Sequence, residues 1–443
     1  MAKPNFLFLI ADDHRFSAIN ALGIEPVSTP TFDKLMAEGT TFTRAHIMGS
    51  TSGAVCMPSR GMLMTGRNVF QTPDPLPQDT PLLPEWLWQH GYTTFGTGKW
   101  HNRPETFARS FSTGGKVFFG GMTDDQFAIT LNDFDPSRAY DEQALETADT
   151  FSTTLFADET ITFLNNHQPD DAPFFAYCAF TSPHDPRTAP EPYASMYNAD
   201  EIELPPNFMT EHPFDLGIRN IRDEVLAAQP RDEAEVRQHI ADYYGMISHM
   251  DDEIGRILQT LEDKGLADNT IVIYTADHGL SIGQHGLLGK QNLYDHSIRI
   301  PMIIRGSGIE AGKRSEALCY LYDLFPTICE RAGIALPETN EGYSLNALLG
   351  GMTDSHRHSI FAAYQNGFGH PDGKPYQRMV KGGRFKLIQS VLDDTLTTQL
   401  FDIQADPYET HDIHADRQYA HVVANLEKRL SNWQQIVNDP VIA

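Results

Sequence analysis

Apolar runs that end abruptly in polar clusters constrain this chain most. Asn5–Ile10, Thr93–Gly96, Phe174–Phe180, Thr270–Tyr274 and Pro301–Arg305 read as short buried strands, with helical stretches between them. The clearest helix covers Glu235 to Leu261. There Ile240, Tyr244, Ile247, Met250, Ile254, Ile257 and Leu261 recur at three- and four-residue steps, and Gly265 supplies a stop. Strands alternating with helices predict a mostly parallel sheet covered on both faces. Ligand sites in such sheets form at the carboxyl ends of the strands. Three of the runs lead straight into reactive residue types at that end: Asp12-Asp13, Ser182-Pro183-His184-Asp185 and Asp277-His278-Gly279.

The stretch 198–232 is rich in Pro, Asn and acidic residues and reads as a long surface excursion. Beyond Gly350-Gly351 the pattern changes to short strands joined by Gly-rich turns: Ser359–Tyr364, Gln377–Val380, Phe385–Ser390 and Thr398–Phe401. An amphipathic helix near Arg417–Val437 closes the chain. These shifts predict a large α/β domain over 1–355 and a small α+β domain over 356–443, which a length of 443 residues accommodates. With 59 Asp+Glu against 33 Lys+Arg the net charge is −26, which argues against nucleic acid or an anionic membrane as a broad-surface partner. No run approaches the roughly 20 apolar residues of a membrane span. The first residues lead directly into a strand, with no charged, apolar and small-residue segments of a leader. The expected compartment of the chain as given is the cytoplasm; a leader removed and replaced by Met would make it the periplasm.

Four Cys form neither a disulfide framework nor a zinc spacing. Cys56 is different because of what surrounds it, Gly49 to Gly61. It precedes Pro58, which suits the first turn of a helix, and Arg60 lies four residues on, hence on the same helical face. A group at position 56 then sits at a helix N-terminus, where an anion is stabilised. Adjacent carboxylates such as Asp12-Asp13 crowd like charge, a cost that a cation offsets. Lys99 and His101 alternate around Trp100, so an extended backbone aims both at one face. Taken singly, each has a bland reading: a buried structural Cys, an acidic helix cap, a solvated Lys.

Together these blocks resemble the formylglycine-dependent sulfatase family of the alkaline-phosphatase-like superfamily. Cys56-Met57-Pro58-Ser59-Arg60, with Met64-Thr65-Gly66-Arg67 after it, is similar to the family's Cys-x-Pro-x-Arg signature. Asp12-Asp13 and Asp277-His278 match its two metal pairs, although many members carry Asn where His278 stands. Gly98-Lys99-Trp100-His101 matches its Gly-Lys-Trp-His block, followed here by Asn102-Arg103 instead of Leu-Gly. Ser182-Pro183-His184 and Gly286-to-Lys290 match two further blocks, in the same order. The resemblance implies an alkaline-phosphatase-like fold: a large mixed, mostly parallel sheet flanked by helices, with a smaller C-terminal antiparallel-sheet subdomain plus helix.

It also implies roles. Cys56 becomes formylglycine through a separate maturation enzyme. Asp12, Asp13, Asp277, His278 and residue 56 hold Ca²⁺, which oxygen-dominated ligation suits, the imidazole leaving room for another divalent ion. The hydrated aldehyde attacks sulfur, His184 with Lys290 protonates the leaving oxygen, and His101 takes the proton that lets sulfate depart. Lys99, Lys290 and Arg60 neutralise the sulfuryl oxygens. Arg103, Asp185, Arg187 and His370 are the candidate substrate-binding groups, the last in the loop Gly367–Lys374. The expected substrate is a small sulfated molecule, foremost an oligosaccharide attacked from its end, since the family's bacterial members frequently degrade sulfated polysaccharides. Choline sulfate, an aryl sulfate, or a phosphonate or phosphate diester are alternatives. A sulfoglycan-binding protein with Cys56 unmodified is the non-enzymatic one.

Overall fold

A computed structural model describes residues 3–442 apart from 74, 138, 141–144, 169 and 366–374. Ten strands form the main sheet. Its centre is five mutually parallel strands in the order Thr270–Ala276, Asn5–Ala11, Phe174–Ala179, Thr93–Lys99 and Thr113–Phe118. Asn5–Ala11, Phe174–Ala179 and Thr270–Ala276 are buried along their whole length, as unbroken apolar runs require. The helix Ser152–Asn166 packs on three of these strands and against the long helix, which runs Glu233–Asp263.

One expected strand runs the other way. Met302–Arg305 lies antiparallel beside Thr270–Ala276, because the chain between them holds only the one-turn helix Asp295–Ile298 and no crossover helix that would return it parallel. The stretch 198–232 also departs from a plain surface excursion. It is mostly irregular, with two 3₁₀ turns, but Asp223, Glu224 and Arg231 are buried.

Register sets the level of the strand ends. Ala11 pairs with Ala276, Ile10 with Ala179, and Ala179 with Gly98. Four neighbouring strands therefore finish side by side, and Asp12, Thr181, Asp277 and Lys99 emerge at one edge. Gly98 is needed for this. Its φ is 86°, and a Cβ there would lie 1.9 Å from the Ala179 carbonyl oxygen.

The C-terminal strands Ile360–Gln365, Tyr376–Gly382, Phe385–Leu392 and Thr395–Asp402 form an antiparallel sheet, on which the helix Ala420–Val437 packs. Its fifth strand is Gly49–Ser50, parallel to Ile360–Gln365, from the segment that leads to Cys56. A buried charge cluster makes a second tie. Asp295, five residues past Lys290, accepts Lys381 and Lys386 from this sheet, Lys386 at 2.8 Å. Burial alone would raise the Asp295 carboxyl, but the two lysines hold it well below the usual carboxylate range. A group depressed in this way contributes stability that is present above about pH 4 and lost as acid protonates it below that. Asp295→Asn leaves buried Lys381 without its carboxylate partner, while Lys386 keeps Glu409, and is expected to cost about 3 kcal/mol at pH 7. Urea unfolding at pH 7 and at pH 3.5 checks both points: the difference between variant and parent narrows in acid.

No described helix is long and apolar enough to cross a membrane.

Candidate functional site

Cys56 is the first residue of the helix Cys56–Thr65, and its thiol points at the strand ends. Lys290 Nζ lies 3.5 Å from Cys56 Sγ and 2.8 Å from Asp13 Oδ1. One turn along the helix, Arg60 donates from Nε to Asp277 Oδ2 at 2.9 Å and from Nη1 to the Lys99 carbonyl at 2.7 Å. Ser59 Oγ donates to the Asp277 carbonyl. The helix is thus fastened to two strand ends by its own second turn. Lys99 Nζ donates to Asp12 Oδ2 and to the Gly121 carbonyl. His184 places Nε2 3.9 Å from Asp13 Oδ2, and its Nδ1 meets the Asp185 carbonyl at 2.8 Å.

The structure therefore brings together Asp12, Asp13, Cys56, Arg60, Lys99, His184, Asp277, His278 and Lys290, all buried. His101 joins them by a different route from the extended backbone expected for it. The chain turns at His101, φ 51°, and the ring lies against Gly121, where any side chain would collide with it. Burial and the Lys99 ammonium hold the ring well below the usual imidazole range, so it is a neutral base, and its Nδ1 has no hydrogen-bond partner.

A divalent cation fits the donor set. One ligand atom each from Asp12, Cys56, Asp277 and His278 lies within 4.8 Å of the others, and a second group joins Asp13, Cys56 and His184. Asp12 Oδ1 and His278 Nε2 are buried without a hydrogen-bond partner among the described residues, 3.9 Å apart. Orphaned acceptors beside three carboxylates are what an ion would satisfy. The electrostatics carry the same mark of crowded negative charge. Burial and the neighbouring Asp12 push the Asp277 carboxyl up to about 6. Burial opposes a charge on His278, yet Asp277 raises the ring to about 9. Burial would also raise the Cys56 thiol, but Lys290 and Lys99 outweigh it and bring it down to about 6.

Of the candidate substrate-binding residues, Asp185 and Arg187 line one cavity of about 330 Å³ that starts next to His184. Arg103 stands exposed at the start of the helix Pro104–Ser110. His370 lies outside the described residues. Several groups escaped the sequence reading. Tyr177 Oη accepts Arg60 at 3.2 Å, from within an apolar strand where it looked like core. Arg222 pairs with Asp185, and Asp223 accepts Gln291 at 2.7 Å, next to Lys290. Glu224 accepts the backbone N–H of Leu288 and Gly289 while pairing with buried Arg231. All four acidic and basic residues of this support come from 198–232.

The family model described as Sulfatase matches residues 4–334, and that of the N-sulphoglucosamine sulphohydrolase C-terminal region matches residues 283–436. A multifunctional alkaline phosphatase superfamily protein, PehA of Trinickia caryophylli, is 28% identical over 98% of this chain and 96% of its own. The N-acetylglucosamine-6-O-sulfatase of Bacteroides thetaiotaomicron is 26% identical over 99% of this chain and 87% of its own. A solved protein in complex with its substrate D-glucosamine-2-N,6-O-disulfate has the same fold, with a TM-score of 0.81, 24% identity and coverage of 99% of this chain and 98% of that one. A sulfatase match over three-quarters of the chain shows that the chain belongs to the sulfatase family of hydrolases.

Proposed function

We propose that this sulfatase releases inorganic sulfate from the end of a sulfated carbohydrate, with Cys56 converted to formylglycine by a maturation enzyme and a divalent cation, Ca²⁺ by its oxygen-rich donors, held by Asp12, Asp13, Asp277 and His278. The gathering of Lys99, Lys290 and Arg60 around residue 56 carries the reading: Lys290 meets Cys56, Lys99 pairs with Asp12 and Arg60 with Asp277, and with a cation on those carboxylates the cluster would supply the local positive charge that an acidic protein needs to take an anion. When bound, the cation supplies a Lewis acid that lowers the pKa of the attacking hydroxyl, which formylglycine provides and a thiol does not. Lys290 faces residue 56 and Asp13 and is placed to hold a sulfuryl oxygen. Lys99 does so from the Asp12 side. Arg60 is tied to Asp277 and the Lys99 carbonyl and so fixes the helix end. His184, oriented through its Nδ1, presents Nε2 to the site as the acid for the leaving oxygen. His101, kept neutral, is the base for the last proton.

The 330 Å³ cavity is at the small end of ligand pockets, which suits a terminal sugar better than the middle of a chain. The glucosamine-directed activity of one relative supports a carbohydrate, whereas the multifunctional relative keeps phosphonate and phosphate esters open. We place the border between the catalytic domain and its C-terminal companion near residue 355. The deciding experiment compares matched aryl esters, then a panel of defined sulfated mono- and disaccharides. Faster turnover of the sulfate than of the phosphonate, together with sulfate release from a terminal sugar, is expected. A phosphonate reaction that is faster by tenfold or more overturns the carbohydrate-sulfatase reading.

A further inference from the structure

The cavity beside His184 holds a charge that the chemistry at residue 56 does not use. Two of the segments that line it follow directly on site groups: Asp185 to Arg187 after His184, and Met122 to Asp124 after Gly121, the acceptor of Lys99; Arg222, Leu226, His239 and Asp242 complete it. Those two segments make it the place into which the atoms next to an ester at residue 56 would extend. Two guanidinium groups line it. Arg222 is neutralised by Asp185 and by Asp223, the latter at 2.9 Å. Arg187 is not. It is only 8% exposed, its Nε has no hydrogen-bond partner, and it forms no ion pair with a carboxylate among the described residues. Its Nη1 meets only the ring of His239, at 3.1 Å, and burial draws that ring down to about 4, so it brings no charge of its own.

Asp185 and Asp242 act on Arg187 only through space and not in an ion pair; a buried guanidinium with no carboxylate in contact is unfavourable, and its fork matches a carboxylate or a sulfate through two parallel hydrogen bonds. We propose that Arg187 receives a second anionic group of the substrate, a carboxylate or a further sulfate on the sugar that bears the scissile ester or on the one next to it. This rests on the carbohydrate-sulfatase reading above. Half-buried Asp242 and exposed Asp124 share the cavity. They accept hydroxyl donors around the anion and repel further negative charge, so the site takes one extra anion and not a dense run of them.

The test measures binding by calorimetry to the Cys56→Ala protein, with turnover removed. Three probes are used: N-acetylglucosamine 6-sulfate, glucosamine-2-N,6-O-disulfate, and a 6-sulfated N-acetylglucosamine joined to a glucuronic acid, so that no free amine offsets the anions. At least one doubly charged probe is expected to bind about tenfold tighter than the singly charged one, the scale of a charge-assisted pair. Which of the two does so tells sulfate from carboxylate. Adding Arg187→Gln brings the ratio close to one and changes binding of the singly charged sugar by less than about threefold, while Arg187→Lys retains part of the preference. Equal binding of all three probes, binding of none, or an equal loss for every probe in Arg187→Gln overturns the proposal. Sulfate release by the unsubstituted protein from N-acetylglucosamine 6-sulfate tests the underlying reading separately and stands whichever way the ratio falls.

Discussion

Cys56→Ala is expected to lower sulfate release by roughly 10⁴-fold or more, the scale on which loss of a nucleophile acts. The fold should survive it. Cys56 is buried at the start of a helix whose hold on the sheet comes from Ser59 and Arg60, not from the thiol. Only one atom is removed, so a stability change of about 1 kcal/mol is the expected ceiling. Lys290 keeps its partner in Asp13. Activity and melting temperature therefore separate, which distinguishes a chemical role from a packing one. Cys56→Ser is a companion that keeps the shape and a weak hydroxyl nucleophile, and it yields formylglycine only if the maturation enzyme also oxidises an alcohol, which a loss of about 2 Da on that peptide would report. Without that loss its activity should be far below that of the parent if formylglycine is required. Turnover retained in Cys56→Ala rejects residue 56 as nucleophile. A mass about 18 Da below that of the plain chain, found on the peptide carrying Cys56, is the direct sign of conversion.

Residues that act through a short sequence pattern were legible. Asp12-Asp13 and Asp277-His278 each follow a strand, and parallel neighbours in register deliver both pairs to one point. Cys56 and Arg60 are one helical turn apart, and that spacing does put both on the site side. What tertiary packing decides was not legible. Tyr177 sits in an apolar run that gives no hint of its hydroxyl partner. Asp223, Glu224 and Arg231 lie in a stretch whose composition belongs to solvated loops, yet in the interior Glu224 pairs with Arg231 and accepts the backbone N–H of Gly289, and Asp223 accepts Gln291 beside Lys290. The direction of Met302–Arg305 is likewise absent from its residues, since an apolar strand reads the same either way. His101 shows the limit of local rules in one residue: its membership of the site was readable, its positive φ was not.

Treatment with a strong chelator is expected to reduce turnover by roughly 10³-fold or more, and added Ca²⁺ to restore it. Two effects combine. The three carboxylates lose the charge that offsets them, and the site then recruits its own lysines. Lys99 lies against Asp12 and Lys290 against Asp13, so both lysines are at hand to pair with those carboxylates once a cation is removed. Each such pair withdraws an ammonium group from the sulfuryl oxygens it is proposed to hold. A cation held there would compensate the carboxylates, Asp12 Oδ1 and His278 Nε2 being the unpartnered atoms that would meet it, and would leave both lysines available to the substrate. The same linkage should appear in stability. An ion at a thousand times its dissociation constant adds about 4 kcal/mol to a protein that binds it only when folded. Melting temperature should therefore rise with Ca²⁺ in the parent and rise much less in Asp277→Asn. Because Asp277 also anchors Arg60, that variant should lose activity even at saturating Ca²⁺. Full turnover after exhaustive chelation, with no bound metal by elemental analysis, would show that the lysines alone carry the charge of the reaction.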